Sequence, residues 1–166
     1  MAKQVGIKKT RCEWAESHAL LLSYHDRQWG VPVHDDRLLF EMLNLEGAQA
    51  GLSWLTVLRK RESYRQAFDQ FDAKKIARYT LQKQSSLLDN DGIIRNRLKI
   101  NAVVENAKAF LEVRRAFGSF DKFLWQFVNG KPLLNKRSTL RDIPARTDIS
   151  DAFSKDLKKR GFNFEL

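Results

Sequence analysis

At 166 residues, 43% of them apolar and 11% aromatic, the chain is long enough for one folded domain with a real core and too apolar to be disordered. Thirty basic residues against twenty acidic ones give a net charge of +10, which points to a polyanionic partner, nucleic acid before membrane. A single cysteine excludes a disulfide framework. The N-terminus has no apolar signal segment, and no stretch reaches the eighteen or so uncharged apolar residues of a membrane span, so a cytoplasmic setting is expected.

Residues 1–10, with Lys3, Lys8 and Lys9 and no acid, read as a basic, flexible tail, and residues 11–166 as one domain. RCEWAESHALLLSYHDRQWGVP, residues 11–32, is dense in Cys, His and aromatics. Asp35 or Asp36 can cap a helix carrying Leu38, Leu39, Met42 and Leu43. A second apolar helix is expected through Leu52, Leu55 and Leu58, then a short one after Asp72 and another in TLQKQSSLLDN. From Asn96, an apolar stripe of Ile100, Val103, Val104, Ala107, Phe110 and Leu111 predicts a long helix ending at Gly118. Ser119 then caps a helix stopped by Gly130, with Phe120, Phe123, Leu124, Phe127 and Val128 inward. Residues 129–146 form one long basic connection before a last helix, SDAFSKDLKKRG. No alternating strand, repeat or low-complexity segment interrupts this, so the class is all-α.

Three places could carry chemistry. In LNLEGAQAGLSWLTVL, residues 43–58, Glu46 is the only charge, beside the small residues Gly47, Ala50 and Gly51. An unbroken helix would put it on one face with Ala50, Ser53 and Trp54. A buried, unpaired carboxylate costs several kcal/mol, roughly, or protonates, so Glu46 either faces solvent at a helix end, pairs with a distant arginine, or meets a ligand. In DNDGIIRNRLKI a glycine turn precedes a helix whose first amides, with Arg95, Arg97 and Lys99, could hold a phosphate; the alternative is an ordinary αα-hairpin with a solvated basic turn. Cys12 and His25, with His18 and His34, are zinc-capable but lack any recognisable ligand spacing, and a lone cysteine is more often a small buried hydrophobe. Trp14, Tyr24 and Trp29 could stack a nucleobase or simply form core. No G-x-S-x-G, Walker loop, G-x-G-x-x-G or H-E-x-x-H occurs.

Taken together, CEW at 12–14, SYHDRQWGVP at 23–32, LEGAQAGLSWLTVLRKRESYR at 45–65, DGIIRNRLKI at 91–100, FLWQFVNGKP at 123–132 and DLKKRGF at 156–162 resemble the DNA-3-methyladenine glycosylase I family, among the helix-hairpin-helix glycosylases. The resemblance runs from about Arg11 to the end. It implies two helical lobes around a base pocket, and excision of 3-methyladenine from alkylated double-stranded DNA after base flipping. Glu46 then matches the pocket carboxylate, as catalytic or recognising group, and Tyr24, Trp54, Trp14 and Trp29 match aromatics around the base. Gly92, Ile93, Ile94, Arg95, Arg97 and Lys99 would form the DNA-binding hairpin, and Leu52 a wedge in the gap left by the base. The resemblance also implies a structural zinc. Cys12 and His25 match its first two ligands, while the family's second pair lies beyond the NFEL at which this sequence stops, so only half the site is present. A monomer is expected. The rival from another class is a non-catalytic helix-hairpin-helix DNA-binding protein. A lyase-type glycosylase is disfavoured because no lysine lies between residues 10 and 59.

Overall fold

The computed structural model describes residues 11–137 and 139–164, and of Leu140 only the backbone; the basic tail expected at 1–10 lies outside the described residues. Every regular element among the described residues is helical, as the periodicity predicts. The chain divides between Val31 and Pro32 into two compact units. The division falls in residues 31–35, a stretch that makes no helix between the first unit and the first helix of the second.

The first unit holds a 3₁₀ helix, Glu13–Ser17, and α1, Ala19–Arg27, whose first turn is capped by the His18 ring accepting the Leu20 N–H. Its 30-odd residues are too few for a self-sufficient core, so polar and aromatic contacts do much of the holding, by about the size argument that applies to any very small module. Arg11 grips Asp26 with two nitrogens at 2.8–3.1 Å.

The second unit contains α2 (Asp36–Gln49), α3 (Trp54–Ala67), the short α4 (Ala73–Ile76) and α5 (Leu81–Leu87), then α6 (Arg97–Phe117), α7 (Phe120–Trp125) and α8 (Asp148–Lys159). Side-chain oxygens of Asp35, Ser53, Asp72, Thr80, Asn96, Ser119 and Thr147 cap them in turn, satisfying amides that a helix start leaves unpaired. Thus α3 begins two residues later than the apolar pattern alone suggests, because Ser53 caps it and Leu52 stays in the turn. Similarly, Thr147 and not Ser150 opens α8, the two forming a capping box. Gly118, at φ +85°, ends α6 as expected. Asp36 accepts the Phe120 and Asp121 amides and pairs with Arg114, tying the starts of α2 and α7 to the end of α6.

The core is phenylalanine-rich. Phe40, Phe68, Phe71, Phe110, Phe120, Phe123 and Phe162 are buried together, with the α6 stripe of Ile100, Val103, Val104 and Ala107 along one side. Through this apolar interior runs a chain of amides. Asn44 donates to the Phe40 carbonyl at 2.8 Å and accepts from Asn106 at 3.0 Å, while the Asn106 oxygen accepts the Asn163 N–H at 2.7 Å. With its partners in place each buried amide is satisfied, and α2, α6 and the segment after α8 are joined.

Candidate active site and nucleic-acid interface

Helix α2 passes through Gly47 but stops at Gln49, because Ala50 leaves helical geometry and Gly51 takes φ +74°, a conformation glycine adopts cheaply. The single helical face joining Glu46 to Ser53 and Trp54 therefore does not exist: a turn intervenes, and Trp54 opens the next helix. Glu46 instead projects from the last full turn of α2 into an open cleft of about 510 Å³, within the range of small-ligand sites. Leu43 and Leu52 flank it, with Phe153, Leu157 and Lys158 of α8 opposite. Among the described residues Glu46 has no hydrogen-bond or ion-pair partner. It is exposed by area, yet the surrounding walls strip enough water to raise its carboxyl pKa by desolvation. Trp54 is not among the walls of this cleft; it is half-buried against the core.

A second carboxylate on the same helix has the opposite fate. Glu41 is buried and held by Arg61 and Arg65 of α3, the latter at 2.9 Å. Its position was not singled out by sequence reading. The available signal was two arginines four apart on α3, which share a face and can meet one acid on a neighbouring helix. This buried bridge clamps α2 to α3 on either side of the Glu46 turn.

The hairpin between α5 and α6 is also anchored on α3. The Tyr64 hydroxyl accepts the Ile94 N–H at 3.2 Å, and burial pushes that phenol up to about 12. Lys60 donates to the Asp91 carbonyl at 2.7 Å. A Cβ on Gly92 would sit 2.8 Å from the Ser63 Cβ, so only glycine lets the turn lie this close. Ile93 is buried and Ile94 packs against the core, so these two anchor the turn rather than face a partner.

This anchoring narrows the anion site. The Gly92 amide is taken by the Asn90 side chain, that of Ile94 by Tyr64, and that of Lys99 by Asn96. The amides of Arg95, Arg97 and Leu98 have no acceptor among the described residues, and all three side chains are exposed. Lys99, expected beside them, points elsewhere: its ammonium donates to the Ala48 and Ala50 carbonyls at 2.9 and 2.6 Å. A cation four carbons long on the first turn of α6 reaches the carbonyl end of α2, where the helix dipole and unpaired C=O groups favour positive charge. Leu52 is 40% exposed on the turn itself, as a protruding apolar tip.

A sequence model of methyladenine glycosylases matches residues 14–165, nearly the whole chain. The chain belongs to the methyladenine glycosylase family. It is 51% identical over 155 residues to the DNA-3-methyladenine glycosylase of Haemophilus influenzae, spanning 93% of this chain and 84% of that protein. It is 49% identical to DNA-3-methyladenine glycosylase 1 of Escherichia coli, over 93% and 82% respectively. Among solved structures, a 3-methyladenine DNA glycosylase I superposes with a TM-score of 0.90 at 50% identity, over 93% of this chain and 85% of that one. The Staphylococcus aureus enzyme, studied for its recognition of 3-methyladenine, gives 0.90 at 41% identity, over 92% and 81%.

In this methyladenine glycosylase the first unit gathers three of the expected aromatics around the expected zinc ligand. Trp14 meets Tyr24, His25 and Trp29, with centroids 5.3–6.5 Å apart, and His25 stacks on Trp29. Tyr24 is buried, whereas Trp29 remains exposed. The Cys12 N–H lies 3.5 Å from His25 Nε2, and His25 Nδ1 meets Asp26 Oδ1 at 3.1 Å. The two expected ligands are thus neighbours, with a carboxylate on the far ring nitrogen of the kind that orients metal-bound histidines. Yet no group of three or more His, Cys, Asp or Glu donors occurs among the described residues. Two donors do not make the four-coordinate site of a structural zinc, so the described residues do not by themselves fit it. His34, also weighed from sequence, is engaged with Asp121 at 2.7 Å and stacked on Trp125.

Proposed function

We propose that this methyladenine glycosylase excises 3-methyladenine from alkylated double-stranded DNA, with Glu46 as the group that recognises the departing base. The observation that carries the assignment is a carboxylate with no partner among the described residues, lining an open cleft in an otherwise apolar segment. Methylation at N3 gives adenine a positive charge. A carboxylate partly stripped of water attracts such a cation more strongly than neutral adenine. Flipping the damaged nucleotide costs a few kcal/mol, roughly, and less when its pairing is already poor. The C1′–N9 bond then breaks with its electron pair passing to the base, which leaves neutral and needs no proton. Water adds at C1′ and loses its proton to solvent, leaving an abasic sugar.

Trp54, Trp14, Tyr24 and Trp29 are assigned to base stacking by the family resemblance alone, since an aromatic face favours a cation; Trp54 does not line the Glu46 cleft and Tyr24 is buried. Arg95 and Arg97, with their backbone amides, hold the DNA phosphates, and Leu52 fills the vacated stack. The chain acts as a monomer in the cytoplasm; among the described residues, no helix is long and apolar enough to cross a membrane. Cys12 and His25 are assigned half of a structural zinc site. Metal analysis of the purified chain is therefore expected to find zinc well below one equivalent, and a full equivalent would show that two donors suffice.

Methylated DNA incubated with the protein should release 3-methyladenine, read by chromatography. Glu46→Ala is expected to lower the rate 10-fold or more, on the order of one lost charge-assisted contact. An undiminished rate would remove Glu46 from the chemistry.

A further inference from the structure

The Lys99 side chain turns away from the exposed Arg95 and Arg97 and closes the end of α2, bonding two carbonyls that bracket the last turn after Glu46. Its own amide is capped by Asn96, so one residue belongs at once to the start of α6 and to the end of α2. We propose that Lys99 is a positioning residue that fixes the Glu46 turn to the hairpin helix, and not a phosphate contact. The inference rests on reading Glu46 as the base-recognising group.

Three physical observations support it. First, both hydrogen bonds are charge-assisted and end on carbonyls that the terminating helix leaves without intrahelical donors. Second, the turn they hold is short and unusual: after Ala50, Gly51 takes a positive φ and the Leu52 amide returns to the Gln49 carbonyl at 2.6 Å. Without a donor at its mouth, two partly buried carbonyls would point at one another's neighbourhood uncompensated, and the turn would relax. Third, the Lys99 side chain is partly buried in making these bonds, and desolvation lowers its pKa. By contrast Arg95 and Arg97 on the same hairpin are exposed and have no acid partner among the described residues. The hairpin thus carries two kinds of cation: arginines turned outward and a lysine turned inward.

Free 3-methyladenine binding, without DNA, separates the two roles, because a phosphate contact has nothing to touch in that experiment. Lys99→Met keeps the length and apolar stem but removes the donors. It is expected to weaken binding of the free base about 10-fold and to lower single-turnover excision at saturating DNA similarly. The DNA affinity's dependence on salt should remain unchanged. Lys99→Arg, which retains a cationic donor, should recover part of the base affinity. If Lys99→Met does not fold by circular dichroism, Lys99→Gln, which keeps an uncharged amide donor group, should give an intermediate loss. Unchanged affinity for the free base in the folded variant, or a salt slope reduced by about one with normal excision at saturation, would overturn the proposal. Glu46→Ala run in parallel keeps the two readings apart: if that variant binds the base normally, the role of Glu46 fails. The Lys99 measurements would then report on the turn alone.

Discussion

Glu46 and Glu41 are five residues apart on one helix and differ in everything that matters to a charge. Glu41 has two arginines and is buried; Glu46 has a cleft and is not neutralised by any described neighbour. Desolvation raises the Glu46 pKa in the folded state, so its stability contribution is full below the unfolded-chain value and is lost as pH rises through the folded one. Wild-type protein therefore carries an uncompensated anion at neutral pH that Glu46→Gln lacks. The variant's advantage in urea midpoint should grow between about pH 4 and pH 7, in the opposite sense to its activity. An advantage that shrinks over that range would contradict the assignment of the shift to burial. The lone charge in LNLEGAQAGLSWLTVL was visible in the sequence; that Trp54 would be separated from it by a turn was not. The stop falls where Gly51 takes a positive φ, and the Ala50 carbonyl there is met by a donor 49 residues away, Lys99, which no local pattern records.

At the scale of the element, the hairpin is the most instructive. Its position, its glycine and its following helix were all legible, because turn chemistry and a 3.6-residue stripe are local signals. Its outward face was only half legible. Sequence places Arg95, Arg97 and Lys99 together, whereas the structure turns Lys99 inward and leaves two arginines beside three amides with no acceptor among the described residues. Replacing both Arg95 and Arg97 with alanine is expected to lower the slope of log affinity against log salt by about two, with little effect on thermal stability. Filter-binding or anisotropy titrations over a range of salt concentrations check this; an unchanged slope would assign the phosphates to another surface. Helix caps were similarly readable where a Ser, Thr, Asp or Asn stood at a boundary. The errors of two residues at the starts of α3 and α8 arose where apolar pattern and cap disagreed, and the cap prevailed.

Across the second unit as a whole, long-range polar contacts set what local patterns could not. The Glu41 bridge joins α2 and α3 through three charges, and removing its acid takes a partner from two arginines, one of them nearly buried. Glu41→Gln should therefore lose about 3 kcal/mol, the low end for a buried pair because Arg65 is a third exposed. For a protein of this length that corresponds to a melting temperature lower by roughly 10 °C, measurable by differential scanning calorimetry. A loss under about 1 kcal/mol would show that the arginines find water or other acids instead. The asparagine chain through the core has a consequence of another kind. Apolar helices can slip past one another by a turn and still bury similar area. A directional amide pair between Asn44 and Asn106 permits only one alignment of α2 on α6. Since α6 begins at the hairpin and α2 ends at the cleft, that pair sets a fixed length between the hairpin and the Glu46 carboxylate. On the proposed function, that fixed length is the span a flipped nucleotide must bridge between its phosphate and its base.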